Sequence, residues 1–363
     1  MASIDLIENI VFHHTASNLD DLMRAVFARL LSRSRGNTKV NSRKGYSTEA
    51  FGALLELTDP RARLSRSKSR SRVFSALGEC LWYLSGSNAL EQIQYYIDGY
   101  HEFSDDKETL NGAYGARIFA ADRGRVTEKY KDQWQRIIGT LREREGSRNA
   151  IIQIYANEDG EKKSKDIPCT CTLHFVIRKK LLHLHVHMRS NDVVLGFPHD
   201  IFAFTMMQEI AARELDVEVG SYQHSVASLH LYDDTDKLPS RTMARKFVDE
   251  GFHDIRPMPP MPKGDPWPAI AVVLDAERRL RAGELDYVPP AGLDPYWNDI
   301  IILLRFYAIG KFAPDRDTKP LLGQLSFPGF SLYILDKIAK KSSSGGTTLP
   351  LFPETETEDD AND

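Results

Sequence analysis

A change of hydrophobic period near the middle of the chain restricts its fold more than anything else in it. From Thr172 to Ser190 the sequence reads TLHFVIRKKLLHLHVHMRS, with apolar and polar residues alternating on both sides of Arg178–Lys180. A period of two puts successive side chains on opposite faces of a strand, so the stretch predicts a β-hairpin with one buried face. The segment FAFTMMQEIAARELD that follows has a helical pattern, and SYQHSVASLHLY returns to a strand. Upstream, IIQIYANE and Ser47–Leu57 read as strands, the latter ending at the Asp59–Pro60 turn. Helices are predicted over VFSALGECLWYLSG, Lys131–Glu145 and YWNDIIILLRFYAIG.

Elsewhere the pattern is less regular. An amphipathic helix is predicted over most of Ile4–Leu31, with a break at His13–Asn18 left open. The basic, glycine-containing SRSRGNTKVNSRKG is read as a loop, and AIAVVLD, after the proline-rich RPMPPMPKGDPWP, as a strand. Strands and helices without regular βαβ alternation predict an α+β fold rather than a doubly wound sheet. The end of the chain, KKSSSGGTTLPLFPETETEDDAND, is polar and then acidic, and is expected to be disordered. Within it TTLPLF is similar to short motifs that dock disordered ends on partners, a pattern that also arises often by chance.

Bulk properties exclude some classes. Lys and Arg (47) nearly balance Asp and Glu (51), giving a net charge of −4 and no basic bias toward nucleic acid. Three cysteines, Cys80, Cys169 and Cys171, are too few for a disulfide framework and fit a reducing compartment. The N-terminus has no basic region before an apolar run, and no stretch has the length of a membrane span, so a cytoplasmic protein without membrane contact is expected. His183, His185 and His187 share one strand face, which invites a metal; no carboxylate or second histidine cluster is spaced to complete a site, and none is predicted.

The chemistry concentrates between Pro168 and Tyr232, where IPCTC, MRSNDVVLGFPHD and LHLY occur in that order. A Pro-Cys pair alone is compatible with an inert buried cysteine. The combination resembles the thymidylate synthases and their relatives, the nucleotide hydroxymethylases, with a weaker resemblance from about Arg43 to Pro262. It implies a three-layer α+β fold with a mixed, twisted sheet. It also implies a homodimer through sheet faces, which would cover His183–His187, and a pyrimidine nucleoside monophosphate as substrate. The one-carbon donor implied is 5,10-methylenetetrahydrofolate.

In that family a cysteine adds to carbon 6 of the pyrimidine and makes carbon 5 nucleophilic, a covalent route that divides one difficult step into two. Cys169 matches the nucleophile, and Arg189 the arginine that contacts the phosphate beside the sulfur, where a cation lowers a thiol pKa. Ser190 matches the serine of the phosphate-contacting pair, and Arg43 resembles an N-terminal phosphate arginine. Arg148 resembles an arginine that crosses the dimer to the partner's nucleotide. His230 and Tyr232 match the pair that binds the sugar hydroxyl, and Asp192 the acid near the base edge and folate. Glu79 matches a glutamate that orders water and relays protons, and Tyr114 a tyrosine that helps to move the C5 proton. Cys171 lacks the Pro-Cys context and is read as structural.

Departures from thymidylate synthase bear on the substrate. Asp200 stands where those enzymes carry an asparagine that reads uracil, and it resembles the cytidylate hydroxymethylases, which quench the one-carbon unit with water. A neutral carboxyl donates to N3 of cytosine and accepts from its amino group, and a carboxylate pairs with N3-protonated cytosine. Thr170 follows the nucleophile in place of histidine, and Asn149 replaces a second dimer-crossing arginine. Tyr100 or Phe103 stands where folate-stacking tryptophans are expected. The resulting reading is a cytidylate 5-hydroxymethylase, with dCMP favoured over CMP. The alternatives are a dUMP-methylating variant and, from another class, a catalytically silent nucleotide-binding protein. Residues 1–310 are assigned to the catalytic domain, 311–340 to an extension and 341–363 to the acidic tail.

Overall fold

The computed structural model describes residues 11–42, 44–67, 73–119, 130–161 and 163–343. Its elements run β1 (Phe12–Ala16), α1 (Leu19–Leu31), β2 (Asn37–Ser42), β3 (Gly45–Leu57), α2 (Val73–Leu84), α3 (Leu90–Gln94), α4 (Tyr114–Phe119) and α5 (Gln133–Glu143). Then follow β4 (Ile151–Gln153), β5 (Thr170–Arg178), β6 (Leu181–Asp192), α6 (Gly196–Glu214), β7 (Glu218–Tyr232) and α7 (Ser240–Asp249). The chain finishes with α8 (Trp267–Arg281), α9 (Pro295–Phe312), α10 (Lys319–Leu322) and α11 (Ser331–Ser343).

The predicted hairpin is β5–β6, antiparallel about Lys179 and Lys180, both left-handed at φ 51° and 62°. Leu173, Phe175 and Ile177 on β5 and Leu182, Leu184, Val186 and Met188 on β6 are buried on one face. The opposite face carries His185 and His187, exposed to solvent. Among the described residues the sheet has seven strands in the order β1-β3-β7-β6-β5-β4, with β2 also on β3. It is mixed: β1 runs parallel to β3 and β6 to β7, and the other pairs are antiparallel. Strand β3 serves two neighbours on one edge, β2 through residues 45–50 and β1 through 53–57. The change falls at Gly52, whose φ of 72° glycine takes without strain. With α6 between the sheet and α2, and α9 against α2, the α+β reading holds.

The break left open at His13–Asn18 is there: Phe12–Ala16 is a strand held by parallel pairing to β3, and α1 starts only after Asn18, whose side chain accepts from Asp21 N at 2.9 Å. Residues 4–10 of that expected helix lie outside the described residues. Two local expectations fail for physical reasons. The expected loop at 32–45 contains β2, a polar strand solvated on both faces and therefore without alternation to betray it. AIAVVLD belongs to helix α8, where Ile270, Val273, Ala276, Glu277 and Leu280 are buried at helical spacing. The short apolar run looks the same in either state; the ERRLR that continues the helical face decides it.

The segment after α9 folds back on the body. Asp299 accepts from Ser326 N and Phe327 N at 2.8 and 2.7 Å, and the buried Tyr333 hydroxyl donates to Ser65 O at 2.8 Å. No described helix is long and apolar enough to cross a membrane. The TTLPLF motif and the acidic tail lie outside the described residues.

Inside, Arg63 donates to Glu209 with both side chains fully buried, and Glu209 Oε1 accepts from Met261 N at 2.9 Å. Removing one member of such a pair leaves an uncompensated charge in the interior. Glu209→Ala is therefore expected to lose about 3–5 kcal/mol of stability in denaturant titration. Replacing both at once, Arg63→Met with Glu209→Leu, should recover most of that loss. A single variant as stable as the parent would mean that the pair holds nothing.

Candidate active site

Strands β5 and β6 end side by side, and there the sequence places Cys169 and Arg189. Arg189 N donates to Cys169 O at 2.9 Å, and its guanidinium donates to Pro168 O and Ile167 O, both at 2.9 Å. The loop bearing the nucleophile is thus tied to the next strand by backbone and side chain together. It is tied a second time through Asp166, which accepts from Gly112 N at 2.6 Å, and through Asn111, whose Nδ2 donates to Asp166 O at 3.0 Å. Buried Arg117 anchors that turn by donating to Asp159, to Asn111 O and to Ile154 O.

Burial pushes the Cys169 thiol above its ordinary pKa. Arg189 and Lys44 pull it down, and Asp200 and Asp166 add to the rise. Tyr114, on α4, accepts from Thr170 N at 3.2 Å, which leaves its own hydroxyl proton for another partner. Burial raises that hydroxyl's pKa well above the usual value, with Asp200 and Cys169 contributing, so it stays protonated.

Two acids from facing helices complete the centre. Glu79 on α2 accepts from the Tyr83 hydroxyl at 2.9 Å and from the Tyr100 hydroxyl, and burial raises its pKa. Asp200 on α6 accepts from Asn191 Nδ2 at 2.8 Å, and burial, reinforced by Glu79, raises its pKa well above the carboxylate range. Burial thus pushes both acids toward the neutral carboxyl, which weighs against a carboxylate at Asp200.

An aromatic wall adjoins them. Trp82 meets Tyr100 edge-on at 5.7 Å, Tyr100 meets Phe103 at 6.0 Å, and Lys44 Nζ sits 4.0 Å from the Phe103 ring centre. Asp192 and His230 are opposite each other on β6 and β7. Asp192 Oδ1 caps the turn into α6 by accepting from Val194 N at 2.7 Å. His230 Nδ1 is 3.2 Å from Ser228 O, and its ring lies edge-on to Tyr232 at 4.9 Å. Ser190 is half-buried on β6 beside Ser228.

Cys169, Glu79, Tyr114, Arg189, Asp200, Tyr100 and Phe103 therefore lie together in one region of the fold. Arg148 does not join them within one chain: it is exposed before β4, and its carbonyl lies 3.0 Å from His174 Nε2. His174 is five residues along β5 from Cys169, roughly 15 Å at the rise of a strand. Arg43 lies outside the described residues. The histidine face completes no metal site, and no group of three or more His, Cys, Asp or Glu side chains among the described residues could hold one.

Four contributors escaped sequence reasoning: Lys44 and the buried Asn191, His224 and Tyr222. The only available signal was a pair of polar-tipped residues, Tyr222 and His224, on the inward face of β7.

Comparison with known proteins agrees with this layout. The family model described as thymidylate synthase matches residues 26–251. A deoxyuridylate hydroxymethyltransferase of Pseudomonas phage M6 is 32% identical over 44% of this chain and 45% of its own length. Another, from Delftia phage PhiW-14, is 28% identical over 57% and 59%. A thymidylate synthase of Haloferax volcanii is 26% identical over 60% and 67%. The chain thus spans about half the length of the phage relatives that it matches.

The charges around Cys169 fix how its reactivity should respond. Its alkylation by iodoacetamide, followed by peptide mapping to separate Cys171, should rise with pH and have a midpoint above that of free cysteine. Lys44→Gln removes a cation without disturbing the carbonyl contacts of Arg189, so the midpoint should move higher and the neutral-pH rate should fall several-fold. A midpoint that moves down would refute this electrostatic account.

Proposed function

Because the chain belongs to the thymidylate synthase family, we propose that it transfers a one-carbon unit to carbon 5 of a pyrimidine nucleotide, forming a 5-hydroxymethylated cytosine nucleotide. We favour dCMP over CMP and a cytoplasmic setting, and assign the chemistry to residues 1–310. The observation that carries the substrate is Asp200: a buried acid, its pKa pushed up by burial, beside Cys169 and Tyr114.

Cys169 Sγ adds as thiolate to C6, which turns C5 into a carbon nucleophile. Burial disfavours the thiolate, so an approaching phosphate must not displace Arg189 and Lys44 from their attractive positions. Once C5 carries the new carbon, its proton leaves toward Tyr114 and water ordered by Glu79, and the bond from that carbon to the donor nitrogen breaks, its electron pair leaving with the nitrogen. Water then adds to the resulting exocyclic methylene, and Cys169 is expelled. The net change inserts CH2O into the C5–H bond.

Members of the family use methylenetetrahydrofolate as donor. The residues present suit it: Trp82, Tyr100 and Phe103 form an apolar cluster with their rings edge to face, and the buried Trp82 Nε1 has no acceptor among the described residues. Tyr100 and Phe103 would hold the folate, with Asp192 nearby. When bound, it supplies a carbon at the oxidation level of formaldehyde.

Arg43, Arg189 and Ser190 would take the phosphate. His230, donating from Nδ1 to Ser228 O, keeps Nε2 to accept from a sugar hydroxyl, with Tyr232 beside it. The distance of Arg148 from Cys169 supports a homodimer through the face bearing Phe51 (67% exposed), His185 and His187, with Arg148 supplied across the interface.

A second reading, hydroxymethylation of dUMP, is favoured by the names of the phage relatives. A neutral carboxyl also complements uracil if its two oxygens exchange roles: O–H to O4, and the other oxygen accepting from N3–H.

Tritium release from C5-labelled dCMP, CMP and dUMP, with and without methylenetetrahydrofolate, tests both, followed by mass analysis. The expected outcome is release from a cytosine nucleotide with gain of CH2O, lost in Cys169→Ala. Asp200→Asn should shift preference toward dUMP by about ten- to hundred-fold, since a mispaired buried group costs about 1–3 kcal/mol. Release from dUMP alone would return the substrate to uracil. For the shared site, Arg148→Ala should be inactive, and mixing it with Cys169→Ala should restore part of the activity through heterodimers. No recovery after demonstrated subunit exchange would place Arg148 outside the site.

A further inference from the structure

Behind Asp200 runs a line of buried side chains that neither the nucleophile nor the phosphate site uses. Asn191 Nδ2 donates to Asp200 Oδ2 at 2.8 Å. His224 Nε2 lies 3.0 Å from Asn191 Oδ1, and the Tyr222 hydroxyl lies 2.8 Å from His224 Nδ1. Tyr222 and His224 are fully buried, and Asn191 nearly so. Phe197 closes edge-on over His224 at 5.3 Å. Gly196 gives the line its room, for a Cβ there would stand 3.0 Å from Asn191 Nδ2 and 3.4 Å from Asp200 Oδ2.

The order of donors along this line is determined. Burial pushes the His224 pKa down to about 3, so the ring is neutral, with one nitrogen donating and the other accepting. Facing the oxygen of Asn191, Nε2 donates; Nδ1 is left to accept from Tyr222. Each link orients the next: Tyr222 O–H to His224, His224 N–H to Asn191, Asn191 N–H to Asp200. A hydrogen on Asp200 Oδ2 would oppose the amide hydrogen of Asn191, so the acid proton belongs on Oδ1.

We propose that Tyr222, His224 and Asn191 are positioning residues that fix which oxygen of Asp200 carries the proton, and thereby which pyrimidine edge the site accepts. The inference rests on Asp200 reading the base, as proposed above. Cytosine needs O–H at N3 and an acceptor at the 4-amino group, whereas uracil needs O–H at O4 and an acceptor at N3–H. The same carboxyl serves either base, and only the oxygen holding the proton differs. Discrimination is then set one layer behind the group that touches the base.

The test is calorimetric binding of dCMP and dUMP to the full chain carrying Cys169→Ser, so that no turnover intervenes. In Tyr222→Phe and His224→Phe, the ratio of the two affinities should move toward unity by about ten-fold, the scale of one mispaired buried hydrogen bond. His224→Gln, which keeps a donor toward Asn191 and an acceptor toward Tyr222, should hold the ratio within about two-fold of the parent. In an Asp200→Asn background, His224→Phe should leave the ratio unmoved. Tyr222→Phe deletes one oxygen and decides the matter if His224→Phe does not fold. An unchanged ratio in Tyr222→Phe, or an equal change with Asp200→Asn present, overturns the proposal. A parent that prefers dUMP overturns the cytosine reading alone, because the variants must still move its ratio through Asp200. A parent that binds neither nucleotide overturns both.

Discussion

Helix α6 is buried along nearly its whole length, from Phe197 to Arg213, and the rest of the structure answers to that constraint. A helix enclosed by a sheet on one side and α2 on the other has no water for its polar side chains, so each must find a partner in a neighbouring element. His199 is 2.8 Å from Ser75 of α2. Gln208 donates to Leu182 O, Gly220 O and Ser221 O, and so joins β6 to β7 from behind. Glu209 holds Arg63 and Met261 N. Asp200 takes Asn191. The polar residues of the middle layer are the fastenings of the outer ones.

The same enclosure produces the acid–base character of the site. Glu79 and Asp200 reach the centre from facing helices, and among the described residues neither has a cation within bonding distance to hold it ionised. Desolvation pushes both toward the neutral form, and the charge of Glu79 adds to the push at Asp200. Cys169, at the rim, is exposed to the opposite influence of Arg189 and Lys44. Proton donors lie inward and the anion-stabilising groups outward, an order that suits addition of a thiolate at the mouth and proton movement at the back.

Much of this was legible wherever a residue's role depends on its own strand or helix. The β5–β6 hairpin announced itself because one face is dry and the other wet, and Lys179–Lys180 turns it. Cys169, Arg189 and Asp200 were found because motif order preserves their strand and helix positions. What stayed hidden depends on pairing between distant segments. Strand β2 buries neither face, and β1 is a strand only because β3 accepts it in parallel. Nothing near Asn191 in the sequence points to His224; parallel pairing of β6 with β7 brings them together. Arg148 illustrates the complementary limit: it is exposed before β4, and its placement in one chain says nothing of a role toward a second.

An amide and a carboxylic acid differ in a way that makes the hidden layer matter. Asparagine carries its donor and acceptor on different atoms, so its orientation alone decides what it recognises. A neutral carboxyl has two equivalent oxygens, and its proton goes wherever the surroundings put it. Replacing the amide by an acid therefore transfers the choice of base from the side chain to whatever hydrogen-bonds to its far oxygen. In this chain that neighbour is Asn191, held by a neutral imidazole and a tyrosine hydroxyl, all of them buried. Burial is also what such a choice requires, because a water reaching Oδ2 would donate or accept with equal ease and erase the distinction.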